Sequence, residues 1–418
     1  MVDIWLPYGK TEVCVRVPAR TLLGEVRPEF PEGVEKPDFE INRALREPLV
    51  GEPLKDSVDG KKKIAIAFYG YIPPPLLNLV VSSLFKELID AMSREVYLIL
   101  PQDSEISTRT LDVEALSGQH NNLQINVIRH DITSKDKAYI GKTSSGNKIY
   151  LSRTFTEADV RVTISSVGLH PFAGFSGGRM AVLPGVAMEE SIQRCYKLLT
   201  NSEARPGKLI DNPVHKEMME AAKMADIAFT LNLVINQRGE LLRAFSGDVE
   251  RAFMTAAELS RKISFSYVKE KANILVVSPG GYPQDSNLFR ALNSLIYCAE
   301  ILKRKGHLIL VAECSEGYGN EVFIDWFKNF RDAKSLEKAI KKKYTYGAHQ
   351  AYYLAKILEK AEVTLVSTLP DYYTNNLLGI KTAKAVNYAL NAVLNEVKTK
   401  ANVLVVPFGN FTLLNPEQ

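Results

Sequence analysis

Short apolar runs rich in β-branched residues recur along this chain, and stretches with helical apolar spacing stand between them. Residues 64–69, 95–100 and 160–167 are such runs in the first part, and 274–278, 308–312, 363–367 and 403–406 in the last. Apolar runs of this length, bounded by Gly, Pro or Asn, read as strands buried on both faces. Helical segments are expected at 76–92, 112–117, 214–224, 249–263, 288–305, 348–360 and 383–397, with Asp211-Asn212-Pro213 as cap and first turn of the third, and Ser144-Ser145-Gly146-Asn147 signals a hairpin. Strands alternating with helices dictate parallel βα units, so the fold class is α/β. A chain of 418 residues exceeds one ordinary core. The pattern starts afresh after Lys269-Glu270-Lys271-Ala272, which gives two α/β domains, 1–270 and 271–418.

In open parallel sheets ligands gather at the carboxyl ends of strands. Those ends here carry Tyr69-Gly70-Tyr71, Gln102-Asp103-Ser104 and the loop after Val167. The third is the richest, with His170, Gly174, Ser176, Gly177, Gly178 and Arg179 ahead of Pro184-Gly185 and a helix opening on Glu189 and Glu190. Carboxylates in a first turn suit the positive end of the helix dipole. A strand feeding a glycine-rich loop and then a helix can turn backbone N–H groups toward an anion. His170 beside it is a candidate proton-transfer group; the alternative is a tight connection around a packed histidine. In the second domain Gly280-Gly281 follows a strand, and Asp285 and Ser286 can cap the helix that holds Arg290. The planar fork of Arg290 suits a carboxylate or phosphate, against the alternative of a solvated arginine.

Several function classes are disfavoured. The 52 basic and 48 acidic residues leave a net charge of only +4, without the basic footprint of a nucleic-acid protein. Hydrophobic content of 46% and charged content of 24% are those of a soluble globular protein. No apolar run approaches the ~18 residues that span a bilayer, and the N-terminus lacks a signal-peptide profile. Cys14, Cys195, Cys298 and Cys314 are scattered without CxxC spacing, so neither a metal knuckle nor a disulfide framework is implied and a cytosolic location is expected. Neither GxxxxGK[ST] nor GxGxxG occurs. Ser176 has no His/Asp partner identifiable by spacing, so a serine-nucleophile hydrolase is not supported.

The ordered motifs nevertheless resemble a known family along nearly the whole chain. They are Leu6-Pro7-Tyr8-Gly9, His170-x3-GFSGG-x5-Pro184-Gly185, Asp211-Asn212-Pro213, Phe245-Ser246-Gly247-Asp248, Gly280-Gly281-Tyr282-Pro283-x-Asp285-Ser286-Asn287-Leu288 and Glu313-Cys314-x-Glu316-Gly317-x-Gly319. They are similar to those of the lactate racemases, which depend on a nickel-pincer nucleotide. The resemblance implies two α/β domains with a ligand cleft between them, and stereoinversion of a 2-hydroxy acid by hydride transfer to a pyridinium cofactor carrying nickel. It implies two proton-shuttling histidines, a lysine that holds the cofactor covalently and a further histidine on the metal. His170 matches one catalytic histidine and Asp103 stands in the other's place. Met180 stands at the cofactor-linking lysine and Tyr196 at the nickel-binding histidine. Ser176, Gly177, Gly178 and Arg179 would cradle the cofactor, and Arg290, Tyr69 and Tyr71 would meet a small anionic substrate. In the family's Tyr-Gln-x-x-Lys stretch this chain has Phe289-Arg290-Ala291-Leu292-Asn293, which moves the cation to Arg290.

Three readings follow. The first is a racemase or epimerase of a small 2-hydroxy acid that still uses the nickel-pincer nucleotide or a relative. The second is an enzyme of the same fold that has lost that cofactor and acts on another anionic substrate. The third is a non-catalytic binding protein, for which Met180 and Tyr196 should be packed in apolar surroundings and the cleft around His170 filled.

Overall fold

The computed structural model describes residues 1–29, 31–90, 95–102, 123–397 and 401–417. Asp103 and the helix expected at 112–117 lie outside the described residues. The chain forms two compact units, Phe30–Lys262 and a second made of Met1–Glu29 with Ile263–Gln418. Each is built on a six-stranded sheet, as the α/β pattern requires.

In the Phe30–Lys262 unit the strand order is Leu241–Gly247, Phe229–Ile235, Val160–Val167, Lys63–Tyr69, Glu95–Leu100, Gln124–Arg129. All neighbours are parallel except the hairpin of the first two. Residues 64–68 are all buried, as are 229–234, so both faces of the central strands are covered by other elements. Helices Pro37–Arg46 and Pro74–Asp90 bring Ile41, Leu45, Val80, Leu84 and Phe85 into one core with Phe68, Leu98, Ile164 and Leu231. From Lys63–Tyr69 the chain adds two strands on one side, then returns to place Val160–Val167 on the other. The carboxyl ends at Tyr69 and Val167 therefore flank the topological switch point, where parallel sheets hold ligands.

The six-stranded sheet of the second unit is wholly parallel, in the order Lys381–Ala383, Ala361–Val366, Leu302–Val311, Ala272–Val277, Val403–Val406, Leu22–Glu25. The boundary expected at 270 thus needs correction. It falls at 262–263, and residues 1–29 belong with the C-terminal part. The cause is pairing and burial: Leu22–Glu25 is that sheet's edge strand, and Ile4, Leu6, Val15 and Val17 of the hairpin Val2–Tyr8/Thr11–Val17 share a core with Ile274, Val276, Ile309 and Val405.

Most expected elements appear within a few residues, including the hairpin Lys137–Lys142/Lys148–Ser152 and the helices Val249–Ser264, Ala348–Leu358 and Val386–Val397. The helix expected at 288–305 ends at Cys298, and Leu302–Val311 is strand. Lys303, Arg304 and Lys305 are its exposed entry, with Lys305 at φ 61° where the register shifts. Among the described residues no helix is long and apolar enough to cross a membrane.

Candidate functional site

Val160–Val167 delivers the glycine loop to the switch point, and the loop folds back over the strand end that feeds it. Leu169 and His170 pair with Phe175 and Gly174 in a minimal antiparallel ladder. The Gly168 N–H donates to Ser176 Oγ at 3.0 Å, and the Ser176 N–H to the Gly168 carbonyl at 2.8 Å. The Gly178 N–H donates to Ser165 Oγ at 2.6 Å, and that hydroxyl donates to Asn232 Oδ1 at 2.8 Å. This close approach requires glycine. A Cβ on Gly177, at φ +93°, would lie 2.6 Å from Val167 Cγ2 and 2.7 Å from the Ser166 carbonyl. Gly178, at φ +51°, has Phe253 in the place a Cβ would need.

His170 is half-buried within this turn. Its Nδ1 accepts the Ala173 N–H at 3.1 Å and the Phe172 N–H at 3.4 Å. A ring nitrogen that accepts carries no proton, so the neutral imidazole holds its proton on Nε2. The ring stands edge-on to Phe172, with centroids 4.5 Å apart, and Phe172 stands edge-on to Tyr196 at 5.0 Å.

The loop differs from an open anion cradle. The N–H groups of 172, 173, 175, 176, 178 and 180 all bond within the loop or to the strand beneath it. Arg179 is not presented to a ligand either: the side chain is wholly buried. Nη1 donates to the Gly177 carbonyl at 3.2 Å, and Nη2 to those of Ala173 and Phe175 at 2.9 and 3.0 Å. The guanidinium lies 3.9 Å from the Phe253 ring centroid. Burial pulls its pKa down to about 9, against the smaller opposing pull of Cys195, Tyr69 and Tyr196.

The other expected residues fall as follows. Tyr69 is half-buried at the neighbouring strand end, near enough to Arg179 to act on its charge, while Tyr71 is exposed. Met180 is fully buried, and Tyr196 is 3% exposed. Arg290 belongs to the other unit, in the first turn of Leu288–Cys298, where its N–H donates to the capping Asn287 Oδ1 at 3.0 Å. Asn293 accepts the Gln350 amide at 2.6 Å.

Two site residues escaped the sequence reading. Asn212 was visible only as a cap, and its Oδ1 does accept from Val214 and His215 N–H. Its amide also donates to the Phe172 and Lys208 carbonyls, both at 2.9 Å, which ties helix Pro213–Met224 to the His170 turn. Asn212→Ala should lower stability by roughly 2 kcal/mol, the loss of a cap plus a buried carbonyl left unpaired, as read by urea unfolding. His215 was not singled out at all. Burial first, and the charge of Arg179 second, bring its pKa down to about 3. The pattern offered no signal for it, since it reads as one more polar residue in a first turn.

Among the described residues, one set of metal-capable side chains converges: His307, Glu362 and Glu396 in the second unit. It lies at the amino ends of the strands, and Lys381 already pairs with Glu362. A groove of about 450 Å³ lined by Val34, Leu76, Leu79, Arg238 and Leu241 shares no residue with the His170 loop.

Known proteins match this architecture end to end. The lactate racemase N-terminal domain matches residues 8–207, and the lactate racemase C-terminal domain residues 267–413. The lactate racemase of Thermoanaerobacterium thermosaccharolyticum is 29% identical, over 98% of both chains. That of Lactiplantibacillus plantarum is 27% identical, over 98% of this chain and 99% of its own. The solved structure of the Thermoanaerobacterium thermosaccharolyticum lactate racemase apoprotein superposes with a TM-score of 0.87 at 28% identity, covering 99% of this chain and all of that one. A Thermotoga maritima protein at 17% identity shares the fold, with a TM-score of 0.67 over 91% of this chain and 98% of its own. The chain belongs to the lactate racemase family.

Proposed function

We propose that this protein is a racemase or epimerase acting on a small 2-hydroxy acid or a related anionic substrate, with His170 as a proton-handling residue. One observation carries the reading: the strand-end loop keeps a histidine whose tautomer is set by the backbone, so that its mobile proton sits on a defined atom, Nε2. A neutral ring held this way donates from Nε2 to a substrate oxygen, and it takes up a proton only at Nδ1, when the two backbone N–H groups release that nitrogen. Ser176, Gly177 and Gly178 shape the turn that presents it.

Two positions do not fit the nickel-pincer nucleotide as the family resemblance would hold it. Met180 offers no amine and is fully buried. Tyr196 is a buried phenol packed against Phe172, in place of a nickel-binding imidazole. No step is therefore derived through that group. The same two residues favour the other two readings alike, an enzyme of this fold that has given up the covalently held cofactor and works on another anionic substrate, and a non-catalytic binding protein.

The test is stereochemical. Anaerobically purified protein is incubated with each enantiomer of lactate and of a panel of other 2-hydroxy acids, and the products are separated by chiral chromatography. At least one substrate should be inverted, and His170→Ala should lower that rate roughly 100-fold or more. An unchanged rate in His170→Ala would remove His170 from the chemistry. No inversion across the panel would overturn the racemase reading.

A further inference from the structure

We infer that Arg179 is the positioning residue that fixes which nitrogen of His170 carries the proton. This rests on the reading of His170 as the proton-handling group, although its central measurement needs no activity. The chain of contacts is short. Ala173 gives its N–H to His170 Nδ1 at 3.1 Å and its carbonyl to Arg179 Nη2 at 2.9 Å. Arg179 also takes the carbonyls of Phe175 and Gly177. Three alternate residues of the turn thus close around one planar fork, and the N–H groups of 172 and 173 are left facing the imidazole.

The cost of this arrangement argues for a purpose beyond filling space. A guanidinium removed from water without a carboxylate partner is expensive. Arg179 is wholly buried, and what offsets its charge is three peptide carbonyls and the face of Phe253. An apolar side chain of similar length would fill the volume but take one donor from each of these carbonyls, of which Ala173 and Gly177 would keep only the backbone N–H groups of Phe175 and Met180. Lysine would keep the charge, yet a point ammonium on a single stem does not reproduce two separated, coplanar donors.

The consequence for His170 is specific. With the turn closed, protonation at Nδ1 requires two backbone N–H groups to turn away, so the neutral ring presents an N–H at Nε2 and donates to an oxygen. Accepting a proton at Nε2 while Nδ1 is protonated requires the turn to loosen. Arg179 sets that balance from beneath the loop.

Long-range proton–nitrogen NMR on the full-length protein with ¹⁵N-labelled histidine reads the tautomer directly, with the His170 signals assigned by their loss in His170→Gln. The wild type should show His170 protonated on Nε2 in its neutral form. Arg179→Met should mix the two tautomers and raise the pH at which His170 titrates, and Arg179→Lys should recover part of the wild-type signature. Circular dichroism establishes that each variant is folded; if Arg179→Met does not fold, Arg179→Lys alone carries the test through a measurable tautomer change. An Nδ1–H tautomer in the wild type, or a folded Arg179→Lys and Arg179→Met with His170 unchanged, would overturn the inference. Where a substrate is inverted, Arg179→Lys should lower kcat roughly 10-fold with KM little changed, because it disturbs proton placement and not substrate contact. A protein that inverts no 2-hydroxy acid but shows the Arg179-dependent tautomer would refute the proposed function and leave the positioning role standing.

Discussion

Gly177→Ala is expected to destabilise the Phe30–Lys262 unit by roughly 3–5 kcal/mol and to remove most stereoinversion activity. Two effects add. The backbone at φ +93° and ψ −178° is one that L-residues rarely adopt, which costs about 1–3 kcal/mol. The new methyl would also lie 2.7 Å from the Ser166 carbonyl, a backbone atom that cannot rotate aside, and overpacking of that kind costs about 1–3 kcal/mol more. Relief requires the loop to lift from the strand end, which breaks the bond from Gly178 N–H to Ser165 Oγ and disturbs the seat of His170. Gly379 supplies the control. It too has positive φ, 64°, yet nothing lies within 4 Å of where its Cβ would stand. Gly379→Ala should therefore cost only about 1–2 kcal/mol, the left-handed backbone penalty alone. Equal losses in the two variants, measured by urea unfolding, would mean that the close approach at Gly177 contributes nothing.

The second large effect is on stability against acid. His349 is almost fully buried in helix Ala348–Leu358, with Nδ1 2.8 Å from the Tyr344 hydroxyl, and burial brings its pKa down to about 3. Its value in the unfolded chain is near the ordinary 6.5. The folded value is the lower one, so the unfolded state binds the proton first. The contribution of His349 is present in full above pH 6.5 and is lost as the pH falls toward 3. Its size is on the order of several kcal/mol, given 1.36 kcal/mol for each unit of pKa. His215 adds in the same direction and over the same range. His349→Gln cannot titrate, so the difference in unfolding free energy between the variant and the wild type should change steadily from pH 6.5 downward. A difference that stays constant with pH would show that the imidazole does not titrate as its burial requires.

Much of the scaffold was legible because it depends on local pattern. The run 160–167 is strand to the residue, Asn212 caps the helix that Pro213 opens, and the helix with Glu189 and Glu190 in its first turn begins at Glu189. The site was legible in its residue types and not in their use. A Gly-rich loop after a strand announces exposed N–H groups, but six of them bond inward, and no spacing rule says which way a peptide turns. Arg179 misled for a related reason: arginines are seldom fully buried unless paired with an acid, so a wholly buried one held by carbonyls and a ring face has no sequence signature. Lys303-Arg304-Lys305 resembled the charged tail of a helix because exposed residues in an irregular strand entry carry no alternation. Leu22–Glu25 was illegible as an edge strand of the second unit, because its partner is Val403–Val406 near the opposite end of the chain.

That last pairing bears on how the protein is made. The Phe30–Lys262 unit is continuous, and all its strands have left the ribosome while the remaining residues are still being translated. The other unit cannot complete its sheet until Val403–Val406 emerges, because that strand joins Leu22–Glu25 to the centre. Its first hairpin, with Ile4, Leu6, Val15 and Val17 bound for a core not yet synthesised, must wait with apolar surface uncovered. The hairpin and Leu22–Glu25, made before the whole of the Phe30–Lys262 unit, are thus among the last elements to find their place, and they carry the longest exposure to misassociation.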